Sequence, residues 1–450
     1  MRQAAEMRIL DTSASLMECA HRLLALAEHE GADEAEVFGA IGRSVDVDLR
    51  KSTVELASES IHRGLGVRAV VNGAVGFSST SDMKLLGYVA CSAVKSARAR
   101  GHDDSWQSLP LPEKGAAPDG IYDARLQSIE PEDCLDLAMG MLRGCAAVRG
   151  AEPVSGGVTC VFGEEFVVNS HGIELHETST LMHASIEAIA RAKGVATGGE
   201  FQNSRGFQGD LENVGRAAAE MALASLGGEK LESGTFDVLL RPLAFVELLE
   251  STLLPSFSAD RVQKGRSALA GREGKMIAEP GLQIVDSGLL SGGMASSAFD
   301  GEGVPSQETV LVKDGVLQGF LYDSYAAGKS KVKSTGNAVR SGYSDVPRVG
   351  IRNLIISSPG AFNLQEETRG LLVGGLIGAH TANPISGDFS VEAKNSFLIA
   401  PNESPRPIHS LMLAGNIFEL LKDIQIGNDH RAVGSVVTPT VKVRMKAVGS

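Results

Sequence analysis

Apolar residues at helical spacing, Leu16, Ala20, Leu23, Leu24 and Ala27, mark the first clear element of the chain, and Ser15 with Glu18 reads as a capping box that starts it. Gly31 supplies the stop. Alternating Val45, Val47 and Leu49 then predict a strand, and GVRAVV, Asn72-Gly73 and AVGFSS predict a two-residue hairpin, because Asn-Gly tolerates the positive φ angles of such a turn. A second helix is expected over residues 82–100, stopped by Gly101.

Pro110, Pro112, Pro118 and Pro131, set among Gly and Asp, make residues 101–130 a connector. After it the order recurs: a helix over 131–148, strands near 155–169 with a turn at Asn169-Ser170-His171-Gly172, and a helix over 211–226. Period alone leaves 178–192 open between strand and helix. The first half is therefore a weak repeat of two helix–strands–helix units. Past Gly227-Gly228 the apolar runs shorten to VLL (238–240), VLV (310–312) and NLIIS (353–357), separated by Gly, Pro and Asp, with helices expected over 243–253, 365–372 and 415–423. The expected fold class is α+β: an N-terminal domain, 1–228, of helices packed on antiparallel strands, and a strand-rich C-terminal domain, 229–450, of mixed or antiparallel sheet.

Composition supports this division without changing it. A chain of 450 residues, 43% hydrophobic and 22% charged, exceeds one ordinary core and fits two globular domains of roughly 200 residues. The net charge of −13 disfavours direct binding of nucleic acid or an anionic membrane surface. Small basic clusters at Arg261, Lys264 and Arg266, and at Lys329, Lys331 and Lys333, read as solvated faces. Five widely spaced cysteines without a CxxC pair, no long apolar run and no signal-like N-terminus lead to an expectation of reduced thiols, no membrane span and a cytoplasmic location.

Candidate chemistry is concentrated late in the chain. His176-Glu177 opens like H-E-x-x-H, but the fifth position is Thr180, so His171, His176 and His183 read as solvated or core histidines. Gly328-Lys329-Ser330 imitates the end of a phosphate loop, but Asp323 stands where its first glycine belongs. Asp300 and Glu302, in the turn Asp300-Gly301-Glu302-Gly303, supply two carboxylates suited to a tight turn, a cation or proton transfer. Ser334, Thr335, Asn337 and Arg340 suit holding a peptide or pinning a neighbouring loop.

These stretches carry a resemblance. KGRSALAGREGK, SSAFDGEGVPSQETVLVKDGVL, LYDSYAAGKSKVKSTGNAVR, GGLIGAHTANPISGDFSVEA, MLAGNIFELLKDI and the terminal TPTVKVRMKAVGS resemble, in order and spacing, the PmbA (TldE) branch of the TldD/PmbA family. The TldD branch holds its metal with H-E-x-x-x-H on a helix near the start of the C-terminal domain and a cysteine in a late loop. Here the matching region is PLAFVELLESTLLPSF, no histidine lies between His183 and His380, no cysteine follows Cys160, and the late loop reads Asn428-Asp429-His430. The resemblance implies a non-catalytic, metal-free subunit of a TldD/TldE-type cytoplasmic metalloprotease complex that degrades unfolded peptides or processes leader peptides. It implies no catalytic residue, metal or cofactor in this chain, and zinc or iron in a TldD-like partner. That partner would form a heterodimer with this chain; a homodimer is the other expected assembly. Peptide- or partner-facing residues are expected among Asp300, Glu302, Ser334, Thr335, Asn337, Arg340, Asn383, Asp388, Asn428 and Asp429. Two alternatives stand beside this reading: a hydrolase working alone through Asp300, Glu302 or a Ser/Thr of 334–340, and an adaptor linked to DNA gyrase modulation.

Overall fold

The computed structural model describes residues 2–192 and 194–449. Helix α1 (Arg2–His29), strands β1 (Glu34–Arg50), β2 (Thr53–Val71) and β3 (Ala74–Thr80), and helix α2 (Leu86–Arg100) form one unit. After the proline-rich connector and a single turn, α3 (Ala124–Gln127), the order recurs as α4 (Pro131–Ala146), β4 (Ala151–Asn169), β5 (Glu174–Ala192), β6 (Gly194–Ser204) and α5 (Glu212–Ala224). Strands β1 and β4 pair antiparallel, which fuses the two units into one sheet of order β3-β2-β1-β4-β5-β6. The segment 178–192, open by period, is strand.

Helix α1 corrects one expectation: it begins at Arg2, so Ser15 lies inside it rather than capping it. The weak helix penalties of Asp11, Thr12 and Ser13 do not outweigh the Ala, Glu, Met, Arg and Leu residues around them. The hairpin holds as read, with Asn72 at φ 50 and Gly73 at φ 74 between β2 and β3.

Strand β1 is buried on both faces over most of its length, and the period of two separates its neighbours. Ala35, Val37 and Ile41 pack beneath α1 and α2, while Val45, Val47 and Leu49 continue that face under α4 and α5. Phe38 and Ala40 point the other way, onto Val167, Ile173 and Phe299. The sheet is thus a partition, with helices on one side and the C-terminal domain on the other.

That domain runs through β7 (Gly234–Leu240), α6 (Pro242–Ser251), α7 (Ala259–Gln263), β8 (Gln283–Ser287), β9 (Glu308–Lys313), β10 (Val316–Leu317) and α8 (Ser324–Ser330). It continues through β11 (Ala338–Val339), β12 (Arg348–Val349), β13 (Asn353–Ser357), α9 (Leu364–Glu367), β14 (Gly370–Ile377), β15 (Asp388–Ile399), β16 (Arg406–Pro407) and β17 (Leu411–Asn416). Helix α10 (Ile417–Leu420) and strands β18 (Gln425–Ile426), β19 (Arg431–Val433), β20 (Val436–Thr438) and β21 (Val441–Gly449) complete it. Strand β14 pairs with β7 in parallel and with β15 antiparallel, so the path β14-β7-β21-β17-β15 closes on itself. Strands β10, β9, β8, β13, β20 and β19 form a second, mixed sheet, and one continuous apolar core serves both. The helix expected over 365–372 is corrected to the single turn α9, because the buried run from Gly370 to Ile377 joins the closed sheet instead. The fold class is α+β, with antiparallel and mixed sheets.

Candidate functional site

The register of β1 and β2 sets Glu36 directly opposite Arg68, on the face toward the C-terminal domain. Arg68 donates from Nη2 to Glu36 Oε2 and from Nη1 to Glu302 Oε1, each at 2.7 Å. All three side chains are almost fully enclosed, at 5% exposure for Arg68, 0% for Glu36 and 1% for Glu302. Arg340 donates to the other oxygen of Glu36 and, through Nε, to Gly301 O at 2.7 Å, with its guanidinium 4.9 Å from the centre of the Phe38 ring. Two arginines and two glutamates thereby join the sheet to the turn 300–303.

Asp300 shapes that turn. Its Oδ1 accepts from Glu302 N at 2.9 Å and Val304 N at 3.0 Å, and its Oδ2 accepts from Ala338 N at 3.0 Å. Gly303 takes φ 80, which a glycine adopts without strain. Glu302 Oε2 accepts from Ser324 N at 2.8 Å. Asn337 donates to Asp286 Oδ2 at 2.6 Å and to Gly350 O at 3.0 Å. The hydroxyls of Ser334 and Thr335 both reach Tyr322 O at 3.1 Å. Of the two readings of the 334–340 loop, pinning a neighbour describes these bonds.

Burial and the nearby Glu302 push the Asp300 carboxyl up to about 7, against the three N–H groups that favour its charge. Burial resists ionisation of Glu302 too, but Arg68 and Ser324 hold that carboxyl below its usual range. Asp323, raised to about 7 by burial and by Glu302, caps α8 through Ala326 N at 2.7 Å. Asp286 rises to about 6 because burial outweighs its bonds to Asn337 and Arg352. A general acid or nucleophile needs access to substrate, whereas Asp300 and Glu302 are enclosed and fully bonded within the chain. This cluster is an ionic latch between domains.

The remaining candidates lie in separate turns. Asn383 Oδ1 accepts from Ile385 N and Ser386 N, and exposed Asp388 accepts from the Ser386 hydroxyl at 2.7 Å and Asn416 Nδ2 at 2.8 Å. Asp429 accepts from Thr440 N at 2.9 Å and Oγ1 at 2.6 Å, and Asn428 is exposed beside it. Glu36 and Arg68 complete the latch without a local motif. Arg68 inside the apolar run GVRAVV was the one available signal, since a charge in a strand buried on both faces demands a partner.

Helix α6 carries the segment PLAFVELLES and packs against β19 and β20, so it meets the chain that follows the late loop 428–430. Above it lies a cavity of about 350 Å³ lined in part by β5, β6 and β14. Glu247 lines it but accepts from Leu376 N at 2.6 Å, and burial raises its carboxyl. Lys394 is paired with Glu187 at 2.8 Å, and Arg431 with Glu200. Burial lowers Arg241, with Asp429 and Glu200 opposing. These carboxylates already face cations or backbone N–H, and a divalent metal would have to displace those partners while the cations repel it. Among the described residues no three His, Cys, Asp or Glu side chains converge as a metal set. The histidines are dispersed: His176 meets Glu164 at 3.2 Å, His183 meets Asn203 at 2.6 Å, and His171, in the turn before β5, meets Glu34 at 3.2 Å.

Comparison with known proteins adds to this geometry. The descriptions "PmbA/TldA metallopeptidase domain 1", "central domain" and "C-terminal domain" match residues 35–99, 124–226 and 233–450. An uncharacterized protein of Methanocaldococcus jannaschii is 34% identical over 420 residues, 93% of this chain and 97% of its own. Metalloprotease PmbA of Escherichia coli O157:H7 is 26% identical over 91% of this chain and 92% of its own. The crystal structure of TldE from Thermococcus kodakarensis superposes with a TM-score of 0.88 at 25% identity, over 96% of this chain and 100% of that one. The chain belongs to the PmbA/TldD metallopeptidase family.

Proposed function

We propose that this chain is the metal-free, non-catalytic subunit of a TldD/TldE-type cytoplasmic metalloprotease, paired with a TldD-like chain that supplies zinc or iron. The complex degrades unfolded peptides or trims leader peptides. One observation carries the reading: where the family resemblance places a metal-binding helix, α6 presents Glu247 bonded to Leu376 N, within a cavity whose other carboxylates, Glu187 and Glu200, are paired with Lys394 and Arg431. The similarity to a TldE structure supports the branch. No helix among the described residues is long and apolar enough to cross a membrane.

In this role the chain walls a shared chamber and offers strand edges to extended peptides. Strand β3 covers β2 only from Leu65 onward, which leaves residues 53–63 of β2 with an open edge. Strand addition there would bind peptides through main-chain hydrogen bonds, tolerant of sequence. Co-expression with a homologue bearing H-E-x-x-x-H, followed by size analysis, tests the pairing. A stable one-to-one complex is expected. Recovery of this chain solely with itself, or with a topoisomerase-associated factor and never with the homologue, overturns the reading.

A further inference from the structure

A cavity of about 1270 Å³ opens between the first helix–strand unit and the C-terminal domain, and it shares no lining residue with the cavity above α6. Arg68 and Arg340 of the latch contribute to its lining, with Trp106 from the connector, Tyr325 from α8 and Arg261 from α7. The Trp106 and Tyr325 rings lie 6.5 Å apart, tilted by 31°. Their polar ends are engaged, Trp106 Nε1 with Glu34 at 3.0 Å and the Tyr325 hydroxyl with Asp103 at 2.9 Å, and the Arg68 guanidinium lies 5.7 Å from the centre of the Trp106 ring, so what the pair offers a ligand is the ring surface that Arg68 does not cover.

The cations of this cavity divide in two. Arg68 and Arg340 are committed to Glu36 and Glu302, Lys264 to Asp260 and Arg348 to Asp345. Arg100 and Arg261 line the same space, and neither side chain has an ion pair or hydrogen bond among the described residues. Free guanidinium groups near aromatic surface suit a planar anion with an apolar neighbour. Asp103, Asp104 and Asp260 also line the cavity, bonded to Tyr325, His102 and Lys264, and their charge would repel a polyphosphate or nucleic acid while their remaining lone pairs accept further N–H donors. A single carboxylate followed by amide groups meets both conditions. The space exceeds the roughly 300–1,000 Å³ of a small-ligand pocket and suits a ligand of several residues.

We propose that this cavity binds the C-terminal segment of a short peptide, with its α-carboxylate on Arg100 and Arg261 and an apolar or aromatic last side chain against Trp106 and Tyr325. The inference rests on the peptide-handling role proposed above and gives that role a site remote from α6. It is a retention site for peptide ends, not a place of bond cleavage.

Trp106 is the sole tryptophan of the chain, so its emission reports on this cavity alone. The isolated full chain is titrated with trialanyl-phenylalanine as the free acid, with the corresponding C-terminal amide, and with inorganic phosphate, each followed by Trp emission and by calorimetry. The free acid should give a saturable change at one site per chain. The amide should bind about tenfold more weakly, since a charge-assisted hydrogen bond contributes on the order of 1.5–3 kcal/mol. Arg261→Gln and Arg100→Gln should each weaken the acid by a similar factor and leave the amide unchanged. Equal binding of acid and amide, saturation by phosphate to the same endpoint, or no signal by either method overturns the proposal. Because this chain is titrated alone, a negative result leaves the subunit reading standing, and failure to pair with a homologue leaves the titration intact.

Discussion

Arg68 sits between two enclosed carboxylates, and removing it leaves Glu302, 1% exposed, without its paired cation. Arg68→Met should therefore destabilise the fold by roughly 3–5 kcal/mol, the usual result of breaking a buried pair from one side. The midpoint of urea unfolding reads this, and an unchanged midpoint would show that the latch holds nothing. Asp323 offers a test of sign. Its carboxyl is held at about 7 in the fold and titrates near 3.9 when unfolded, so the stability it contributes is complete below about 4 and is lost as pH rises through about 7. Asp323→Asn keeps an oxygen for the Ala326 N–H cap but cannot ionise. The variant should unfold with the parent at pH 4 and above it at pH 8, the parent losing stability progressively between the two. Parallel profiles would contradict this. From sequence, Asp300 and Glu302 stand out as a turn, and Arg340 as part of a polar set suited to holding a peptide or pinning a loop. The partners of Glu302 and Arg340, Arg68 and Glu36, lie more than 230 residues earlier, and no local pattern names a contact over that distance.

The periodic elements were legible because their faces differ. Strand β5 resolves the open choice at 178–192: Met182, Ala184, Ile186, Ala188 and Ala190 alternate beneath α4 and α5, while His183 and Glu187 face the other way. Those two helices approach closely through glycine. A methyl group on Gly144 would lie 1.9 Å from Glu212 O, and one on Gly215 would lie 1.9 Å from Met141 O. Gly144→Ala should force α4 and α5 apart and lower stability by about 1–3 kcal/mol despite the better helix propensity of alanine. A rise in thermal midpoint would refute it. Elements set by tertiary demand were harder to read. The start of α1 escaped because Asp11, Thr12, Ser13 and Ser15 imitate a cap, and 365–372 escaped because its leucines complete the closed sheet through β14 rather than a helix face.

The whole molecule is a double-layered partition closed by a barrel-like domain. Its long antiparallel sheet separates helices from the C-terminal domain, and the cavities above α6 and beside Trp106 both open between the sheet and that domain. The division into a helix–strand half and a strand-rich half was visible in the change of texture after Gly227-Gly228, whereas the closure of β14 onto both β7 and β15 was not, since strand pairing across 130 residues leaves no trace in local pattern. The central claim concerns what α6 lacks. Loss of Glu247 should not change any catalysis by this chain, because none is expected. The most direct measurement is cleavage of an unfolded peptide, with and without a chelator, by the purified chain alone and after mixing with an H-E-x-x-x-H homologue. The account predicts no cleavage by this chain alone and chelator-sensitive cleavage by the mixture. Robust chelator-sensitive cleavage by this chain alone would contradict it.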